Sequence, residues 1–398
     1  MEAYVLDWLN LLLRWAHVVV AIAWIGSSFY FVFLDNSLVP PQDPALKAKG
    51  VDGELWAVHG GGFYNPQKYR VAPGRVPERL HWFYWESYST WLTGFGLFAV
   101  LYLWQARVYL VDPRVLDWSP LAAGAAASGF LAVFWVLYDA ACRTLGQRAN
   151  GDRAVAVVTV LLVAAASWLA CRLFAGRAAF LVVGAALATA MSANVARWII
   201  PGQRKVIAQM NAGVPVDPAH GRRAKQRSVH NTYFTLPVLI AMLGNHYGML
   251  HDARHAWVVL ALLMAAGALV RHTFVARHRA RVEGRATPWG WAIAGCALLA
   301  GVIVALSPPA SSPQAQAAPP AFSRVRQVID RRCVACHNAQ LASKNVQLHT
   351  PELVARNAPR IQQQAVLQRT MPLNNATGIT EEERALLSRW FMAGARTN

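Results

Sequence analysis

The sequence predicts an all-α protein, built as an eight-span transmembrane helical bundle followed by a small helical domain. Three observations predict this class. Hydrophobic residues make up 55% of the 398 residues and charged residues only 15%, against about 25% charged residues in soluble domains. Eight separate stretches are apolar over the roughly 20 residues that a helix needs to cross a bilayer core of about 30 Å. A last segment of ordinary polarity carries short amphipathic helical patterns.

The eight apolar stretches alternate with short connections. They cover residues 8–34, 82–108, 119–139, 154–174, 178–199, 230–249, 255–273 and 288–307. The first stretch is longer than the apolar core of a signal peptide, and no Lys or Arg precedes it, so we expect a retained span. A lipid bilayer is therefore the expected surrounding of this part of the chain.

Lysine and arginine are distributed unevenly between the connections, and this predicts the orientation. The connections after spans one, three, five and seven hold most of the basic residues, whereas the intervening connections hold only Arg114, Arg172, Arg177 and Arg254. Because basic connections stay in the cytoplasm, both termini are expected on the opposite side. The net charge of +18 is explained by topology, so a nucleic-acid partner is not expected.

A proline- and alanine-rich stretch marks a domain boundary. Residues 308–321 cannot build a hydrophobic core, and they are expected to link a membrane domain at 1–307 to a helical domain at 322–398. Amphipathic patterns predict helices over 322–332 and 380–394, and a threonine followed by three glutamates is a strong start signal for the second.

The C-terminal domain contains the C-x-x-C-H pattern of c-type haem attachment. Cys333 and Cys336 are spaced to form thioethers with a haem, and His337 is then the proximal iron ligand. Met371 is the expected distal ligand, and the motif therefore predicts a class I-like cytochrome c domain with one covalent haem c. The alternatives are a redox dithiol or half of a zinc site for the cysteines, and a core methionine for Met371.

Ionisable and amide side chains inside the spans are functional candidates, because they are expensive at membrane depth. The predicted orientation sorts them into two levels. The cytoplasmic level contains His81, Glu86, Asn194, Arg197, His230, Asn231, Arg271 and His272, and the outer level contains Arg14, His17, Asn245 and His246. The alternative for any residue at a span end is ordinary anchoring among lipid headgroups.

Five segments of the membrane region, followed by the haem motif, resemble a known family. The segments are His59 to Tyr64, Trp82 to Glu86, Asn194 to Gly202, His230 to Phe234 and Asn245 to Tyr247. They look like the bacterial membrane-bound urate oxidase, also called the cytochrome c-dependent urate hydroxylase. The resemblance implies oxidation of urate to 5-hydroxyisourate in purine degradation. It also implies an inner-membrane protein whose periplasmic haem domain passes electrons to a downstream cytochrome or terminal oxidase.

Urate is a flat anion, so its site should offer a cation and amide hydrogen bonds. We expect Arg197 or Arg271 to bind the anion. Asn194 or Asn231 would hydrogen-bond the ring.

Catalysis at such a site needs a general base and aromatic stacking faces. Glu86 or His81 would accept a proton as urate loses electrons, or would activate the attacking water. Trp82 and Trp85 would stack on the ring, and the segment around His59 is expected to be a flexible loop able to approach the site.

Electron transfer across the membrane needs an intermediate carrier if urate binds near the cytoplasmic face. His17 and His246 fall at similar depth on the outer side, and two imidazoles can hold a b-type haem between helices. The alternative is a pair of hydrogen-bonded interface histidines.

Three other functions would share parts of this pattern. A quinol-oxidising membrane cytochrome c subunit would differ only in its electron donor. A transporter with a fused cytochrome would need paired helix breaks, and Pro237 in span six has no counterpart in another half of the sequence. A simple membrane anchor would not need Glu86 or Arg197.

Overall fold

The computed structural model describes residues 1–69, 73, 76–148, 150–307 and 319–397. The chain is mostly helical, and each of the eight predicted apolar stretches lies largely within a long helix. The long helices are α1 (Glu2–Ser37), α3 (Trp85–Phe98), α5 (Pro120–Thr144), α6 (Gly151–Leu173), α7 (Gly176–Asn194), α9 (Pro218–Gly244), α11 (Ala256–Val282) and α12 (Gly290–Ala305).

Shorter helices complete the part of the chain before residue 308 and form the C-terminal region, which we define as residues 319–397. They are α2 (Pro44–Ala48), α4 (Ala106–Tyr109), α8 (Ile200–Asn211), α10 (Gly248–His251), α13 (Phe322–Arg332), α14 (Pro351–Arg356), α15 (Ala358–Ile361) and α16 (Glu381–Met392). The helices predicted at 322–332 and 380–394 correspond to α13 and α16. Of the predicted linker, residues 308–318 lie outside the described residues.

Five helical segments among the described residues are long and apolar enough to cross a membrane. They are Tyr4–Ser37, Pro120–Thr144, Gly151–Leu173, Gly176–Asn211 and Ala256–Arg281. Gly290–Ala305 is a shorter apolar helix. Several membrane-spanning helices are therefore consistent with the structure.

Two helices begin away from the predicted span edges. α3 begins at Trp85 rather than at residue 82, and it continues as a π-helical turn over Ala99–Leu103. α9 begins at Pro218, well before residue 230, because the Asp217 side chain caps its first turn and proline is favoured there. Helical structure therefore extends past the apolar part of span six.

The connection between α1 and α3 contains two short two-stranded antiparallel sheets, which the sequence did not predict. Residues 57–64 form one of them, so the segment expected to be a flexible loop is a hairpin. Gly60 and Gly61 have φ values of +57° and +79° in its turn, as a tight two-residue hairpin requires. The strands are β1 (Val51–Glu54), paired with β4 (Gln67–Tyr69), and β2 (Ala57–His59), paired with β3 (Gly62–Tyr64).

The apolar side chains form two separate clusters. The larger one centres on α7, which packs against α5, α6 and α9 and is the most buried of the long helices. The smaller one lies inside the C-terminal region, where Val325, Ile329, Leu387 and Trp390 are buried. The polar residues of the long helices therefore stand out against a packed apolar background.

Candidate functional site

Asn194 lies at the centre of a buried hydrogen-bond network between α5, α7 and α9. Its Nδ2 donates to the Tyr138 hydroxyl at 3.0 Å and to Asn231 Oδ1 at 2.9 Å, and its Oδ1 accepts from Arg227 at 3.3 Å. Asn231 Nδ2 donates to the Met191 carbonyl. Both amides therefore have their hydrogen-bonding capacity engaged by the protein itself.

Arg227 and Asp139 carry the charge of this network. Arg227 is 2% exposed and donates to Asp139 Oδ1 at 2.8 Å. Trp198 Nε1 donates to the same oxygen at 2.7 Å, and Arg143 lies 3.1 Å from the other oxygen. The guanidinium of Arg227 also lies over the Tyr138 and Trp198 rings. We define the Asp139 network as Tyr138, Asp139, Arg143, Asn194, Trp198, Arg227 and Asn231. Its buried arginine, Arg227, has a buried carboxylate as partner.

His230 joins the edge of the network. Its Nδ1 shares a hydrogen bond of 2.8 Å with the Tyr138 hydroxyl and lies 3.8 Å from Cys142 Sγ. A cleft of about 110 Å³ opens beside these groups. Its lining residues are Cys142, Arg143, Gln147, Trp198, Arg223, Gln226 and Arg227.

A second buried arginine has very different surroundings. Arg271 is 1% exposed. Its Nη2 donates to the carbonyl and the hydroxyl of Ser28, both at 3.2 Å, and its Nε donates to the Thr232 carbonyl at 3.3 Å. The guanidinium lies 3.9 Å from the centre of the Phe29 ring. Among the described residues, no carboxylate pairs with it, and the one titratable side chain that acts on its charge is Tyr233.

Tyr233 and His272 lie next to this arginine along their helices. The Tyr233 hydroxyl and His272 Nδ1 share a hydrogen bond of 2.6 Å, and the His272 ring meets Trp291 edge to face. We call Ser28, Phe29, Thr232, Tyr233, Arg271 and His272 the Arg271 cluster. It combines a buried cation, aromatic rings and a tyrosine–histidine pair, at the meeting point of α1, α9 and α11.

Glu86 is half-buried and has one buried carboxylate oxygen without a partner. Its Oε2 is buried and has no hydrogen-bond partner among the described residues. The Thr90 hydroxyl donates to the Glu86 carbonyl one turn away, and Thr90 and Thr93 both contact the ring of His17. Residues 86, 90 and 93 share one helical face, so Glu86 lies on the face of α3 that packs against α1.

The Glu86 carboxylate and the Arg271 guanidinium, which form no ion pair among the described residues, lie at neighbouring levels of α1. Ser28, which accepts from Arg271, is eleven residues beyond His17, about three helical turns, and so falls on the same face of α1. The helices α1 and α3 are antiparallel, since Leu13 contacts the level of Gly96 and Phe31 contacts Phe83. At about 1.5 Å per residue, Glu86 and Ser28 are within about 8 Å along the helix axes.

The remaining predicted substrate residues lie outside both clusters. Arg197 is exposed and lies 5.9 Å from the centre of the Trp135 ring. His81 is exposed before α3 and packs edge to face on Phe83. Trp82 lies beneath Arg204, Trp85 is 63% exposed, and His59 is exposed in its hairpin.

The two histidines predicted to hold a second haem differ in burial. His17 is partly buried, and its Nδ1 is engaged by the Thr90 carbonyl and the Thr93 hydroxyl, both at 3.1 Å. A Cβ added to Gly94 would come within 2.8 Å of this ring, so the glycine lets the histidine lie between α1 and α3. His246 is exposed just after α9, with Arg14 and Arg177 among its charged neighbours.

The C-x-x-C-H motif follows α13 directly. His337 Nδ1 contacts the Val346 carbonyl at 3.1 Å, which fixes the ring and leaves Nε2 free, as a metal-binding histidine requires. Cys336 is exposed, whereas burial raises the pKa of the Cys333 thiol to about 12. Met371 packs against the same apolar cluster as Cys333.

The Met371 segment is held toward the motif by two arginines. Arg384 donates to the Met371 carbonyl at 3.0 Å and is a charged neighbour of Cys333. Arg332, next to Cys333, pairs with Glu383 at 3.0 Å and also donates to the Thr377 carbonyl. One imidazole and one thioether are the donor set of a haem iron, so these residues fit that group. The described residues contain no cluster of three His, Cys, Asp or Glu side chains that could hold a free metal ion.

The C-terminal region contacts one end of the helical bundle, which we call the docked end. Arg114 donates to the Asn374 carbonyl at 2.7 Å, Asn374 donates to the Val108 carbonyl at 2.6 Å, and Gly248 N–H donates to the Gln368 carbonyl at 3.2 Å. A Cβ at Gly248 would collide with Gln368 at 2.3 Å. The segment that carries Met371 therefore rests directly on the helical bundle.

Sequence reasoning missed three members of the Asp139 network. Arg227 precedes the apolar part of α9, so its sequence context indicates a charge of the connection after span five. Asp139 closes an apolar span, and the cost of a carboxylate at that depth was the signal that could have identified it. Tyr138 is unremarkable in sequence, because an aromatic residue near a span end is common.

Comparison with known proteins gives one match. A family model described as "Urate oxidase N-terminal" matches residues 3–307. No curated protein and no solved structure matches the chain.

Proposed function

The chain belongs to the Urate oxidase N-terminal family, and from that premise we propose that it oxidises urate to 5-hydroxyisourate in a membrane, in purine degradation. The electrons leave through a covalently bound haem c and pass to a downstream cytochrome or terminal oxidase. The family supports an oxidoreductase that acts on urate. The C-x-x-C-H motif and the contacts of Met371 support the haem.

The proposed topology has eight spans and both termini in the periplasm of a bacterial inner membrane. The five long apolar helices and the uneven distribution of arginine and lysine support it. In this orientation the docked end faces the periplasm. The C-terminal region, from residue 322 on, is then the cytochrome c domain, and the membrane domain ends at residue 307.

The buried guanidinium of Arg271 carries the assignment of the substrate site. A cation in the interior without a counter-charge is costly, and a urate anion would supply that charge. The Phe29 ring beside the guanidinium adds an apolar surface on which a flat ring can pack. Arg227 is a poorer candidate because Asp139 already neutralises it.

Glu86 is the proposed general base. Conversion of urate to 5-hydroxyisourate adds the oxygen of one water to C5 and releases two protons and two electrons. The Glu86 carboxylate has an oxygen free to accept a proton, and it lies near the level of Arg271 on the α1 face. His81 is exposed and therefore less able to keep the proton transfer away from bulk water.

Four residues would hold haem c. Cys333 and Cys336 would bind it covalently, and His337 and Met371 would be the iron ligands. Bound there, the haem supplies a one-electron acceptor for each of the two electrons. The contacts of His337 with Val346 and of Met371 with Arg384 keep these side chains in position.

A haem b held by His17 and His246 is the proposed second cofactor. His17 lies between the level of Ser28 and the docked end on one face of α1, and the engagement of its Nδ1 leaves Nε2 as the free donor. A pyridine haemochrome spectrum with haem c alone would remove haem b from the proposal.

The decisive experiment adds urate without oxygen to the oxidised protein in detergent and records the visible spectrum. We expect reduction of the c-type band together with loss of urate absorbance, two haem equivalents per urate. An oxidised spectrum that only dithionite can reduce would contradict urate as donor. Reduction by a quinol instead would establish the alternative, a quinol-oxidising membrane cytochrome c subunit.

A further inference from the structure

A small cavity of about 10 Å³ lies where the Met371 segment meets the docked end. Both parts of the chain line it, so it exists only while they are in contact. The bundle contributes Arg177, His251 and Asp252, and the C-terminal region contributes Arg369, Thr370, Leu373, Asn374 and Asn375.

Two nitrogen atoms at this cavity are buried without a partner. His251 is 7% exposed in its side chain, and its Nδ1 pairs with Asp252 at 3.0 Å, but Nε2 has no hydrogen-bond partner among the described residues. Arg177 Nε is likewise buried and unpartnered. Leaving such groups unpaired is costly, and more so when the group is charged, so the site favours a polar occupant.

The guanidinium of Arg177 favours an anion in the cavity. Arg369 is paired with Glu381 at 2.6 Å, and Asp252 is paired with His251. Within the described part of the chain no carboxylate forms an ion pair with Arg177. Arg177 therefore brings to the cavity a guanidinium that has no carboxylate partner and that also hydrogen-bonds Tyr102.

The size of the cavity restricts the occupant. About 10 Å³ is room for one water-sized group, which excludes a whole metabolite and admits a single anion or one end of a carboxylate. Haem c carries two propionate carboxylates, and its expected ligand Met371 lies between the lining residues Thr370 and Leu373 in sequence.

We propose that Arg177 and His251 form a carboxylate site that binds a propionate of haem c across the contact between the two parts of the chain. This inference rests on the proposed haem c and is independent of the urate site. A free small anion could occupy the same site, because it would make the same contacts as a propionate carboxylate. The experiment must therefore distinguish the two occupants. The membrane domain would then complete the haem pocket. The redox potential of haem c would therefore depend on the contact between the C-terminal region and the docked end.

The test is a redox titration of the c-type band in the full-length protein. In Arg177→Gln and in His251→Gln the midpoint potential should fall, because each variant removes a hydrogen-bond partner of the propionate, and the more exposed negative charge then stabilises the oxidised haem. The carboxylate bands in the redox infrared difference spectrum should shift as well. Arg172→Gln is the matched control, since Arg172 is exposed at the end of α6, and it should leave both readouts unchanged.

The outcomes are distinct. Unchanged potential and unchanged carboxylate bands in both variants, with haem still attached, would overturn this proposal alone. A shift that requires chloride and disappears in gluconate would overturn the propionate as occupant in favour of a free anion. A wild-type protein without haem c, seen directly in its pyridine haemochrome spectrum, would overturn this inference together with the proposed cofactor, whether or not urate is oxidised.

Discussion

The Asp139 network and the Arg271 cluster each contain an arginine removed from solvent, yet their partners differ. Arg227 is 2% exposed and Arg271 is 1% exposed. Arg227 forms an ion pair of 2.8 Å with Asp139 and donates to Asn194. Arg271 donates to the carbonyls of Ser28 and Thr232 and to the Ser28 hydroxyl. The buried charge of Arg227 is balanced by Asp139, whereas Arg271 has no counter-charge among the described residues.

The difference separates a structural role from a binding role. In the Asp139 network each group satisfies another, so a ligand could enter only by breaking existing hydrogen bonds. In the Arg271 cluster the charge has no counter-charge among the described residues, and one oxygen of the Glu86 carboxylate nearby has no partner either. Burial of a polar group therefore does not by itself identify a substrate site; the presence or absence of a partner does.

Breaking the neutral pair is expected to have the largest effect on stability. Asp139→Asn leaves Arg227 buried without its counter-charge, which costs about 3 to 5 kcal/mol. Thermal unfolding in detergent measures the loss. The double variant Asp139→Asn with Arg227→Gln should recover part of it, because both charges are removed together. Equal losses in the single and double variants would show that the two residues do not act as a pair.

Removing the unpaired charge should spare stability and abolish substrate binding. Arg271→Gln removes the cation proposed to bind the urate anion, and truncating one partner of a buried charge pair costs about 2 to 5 kcal/mol of affinity, so the dissociation constant for urate should rise at least about thirtyfold. Equilibrium binding of urate checks this, and the melting temperature should stay within a few degrees of the wild-type value.

The matched control for this substitution is Arg197→Gln. Arg197 was the other arginine expected from the sequence to bind the anion, but it is exposed beside Trp135. The Arg197→Gln variant should bind urate as the wild type does. Loss of binding in Arg197→Gln together with retention in Arg271→Gln would move the site to the surface beside Trp135 and reverse the comparison.

Removing the unpaired carboxylate should affect turnover more than binding. Glu86→Gln keeps the shape of the side chain but cannot accept a proton, and general base catalysis contributes about 10² to 10⁴ in rate. We expect kcat for urate to fall about a hundredfold while urate still binds. His81→Gln is the control, since His81 is exposed before α3; a larger loss in that variant would assign the base to His81.

The sequence was informative about helices and less so about which polar residues meet. Hydrophobic length located the long helices, five of which are long and apolar enough to cross a membrane, because a long apolar stretch favours a helix wherever it is buried. Asn194, Asn231, Glu86 and Arg271 were singled out by the cost of burying them. Their division into two clusters was not predictable, because it depends on the contacts of α1, α9 and α11 rather than on any local pattern.

Some local features were invisible for a physical reason. Arg227 lies in a polar stretch that continues α9 beyond its apolar part, so its sequence context indicates a connection. The hairpin at residues 57–64 depends on its two-glycine turn, which also suits a flexible loop. By contrast, the threonine that caps α16 was recognised at once, because a cap is formed by residues adjacent in sequence.

Removing that cap is expected to have the smallest effect on stability. It also compares the buried Asp139 network with a hydrogen-bonded group that lies in solvent. Thr380 Oγ1 accepts from the Glu383 N–H, and Glu383 Oε2 accepts from the Thr380 N–H, so these groups are as well partnered as those of the Asp139 network but lie in water. Thr380→Ala should cost about 1 kcal/mol. Hydrogen exchange of the α16 amides in the full-length protein should then be about fivefold faster, whereas Ser323→Ala, at an exposed position of α13, should leave it unchanged.

The pH dependence of this effect follows from Glu382. Hydrogen bonds from the Thr380 hydroxyl and from the backbone hold the pKa of the Glu382 carboxyl below its ordinary value of 4.5. A carboxyl with a lowered pKa in the folded state contributes stability above its unfolded pKa and loses it as the pH falls through the folded value. The difference in α16 exchange between wild type and Thr380→Ala should therefore be full at pH 7 and shrink below about pH 4. A difference that stays constant with pH would assign the cap's contribution to the Glu383 amide alone.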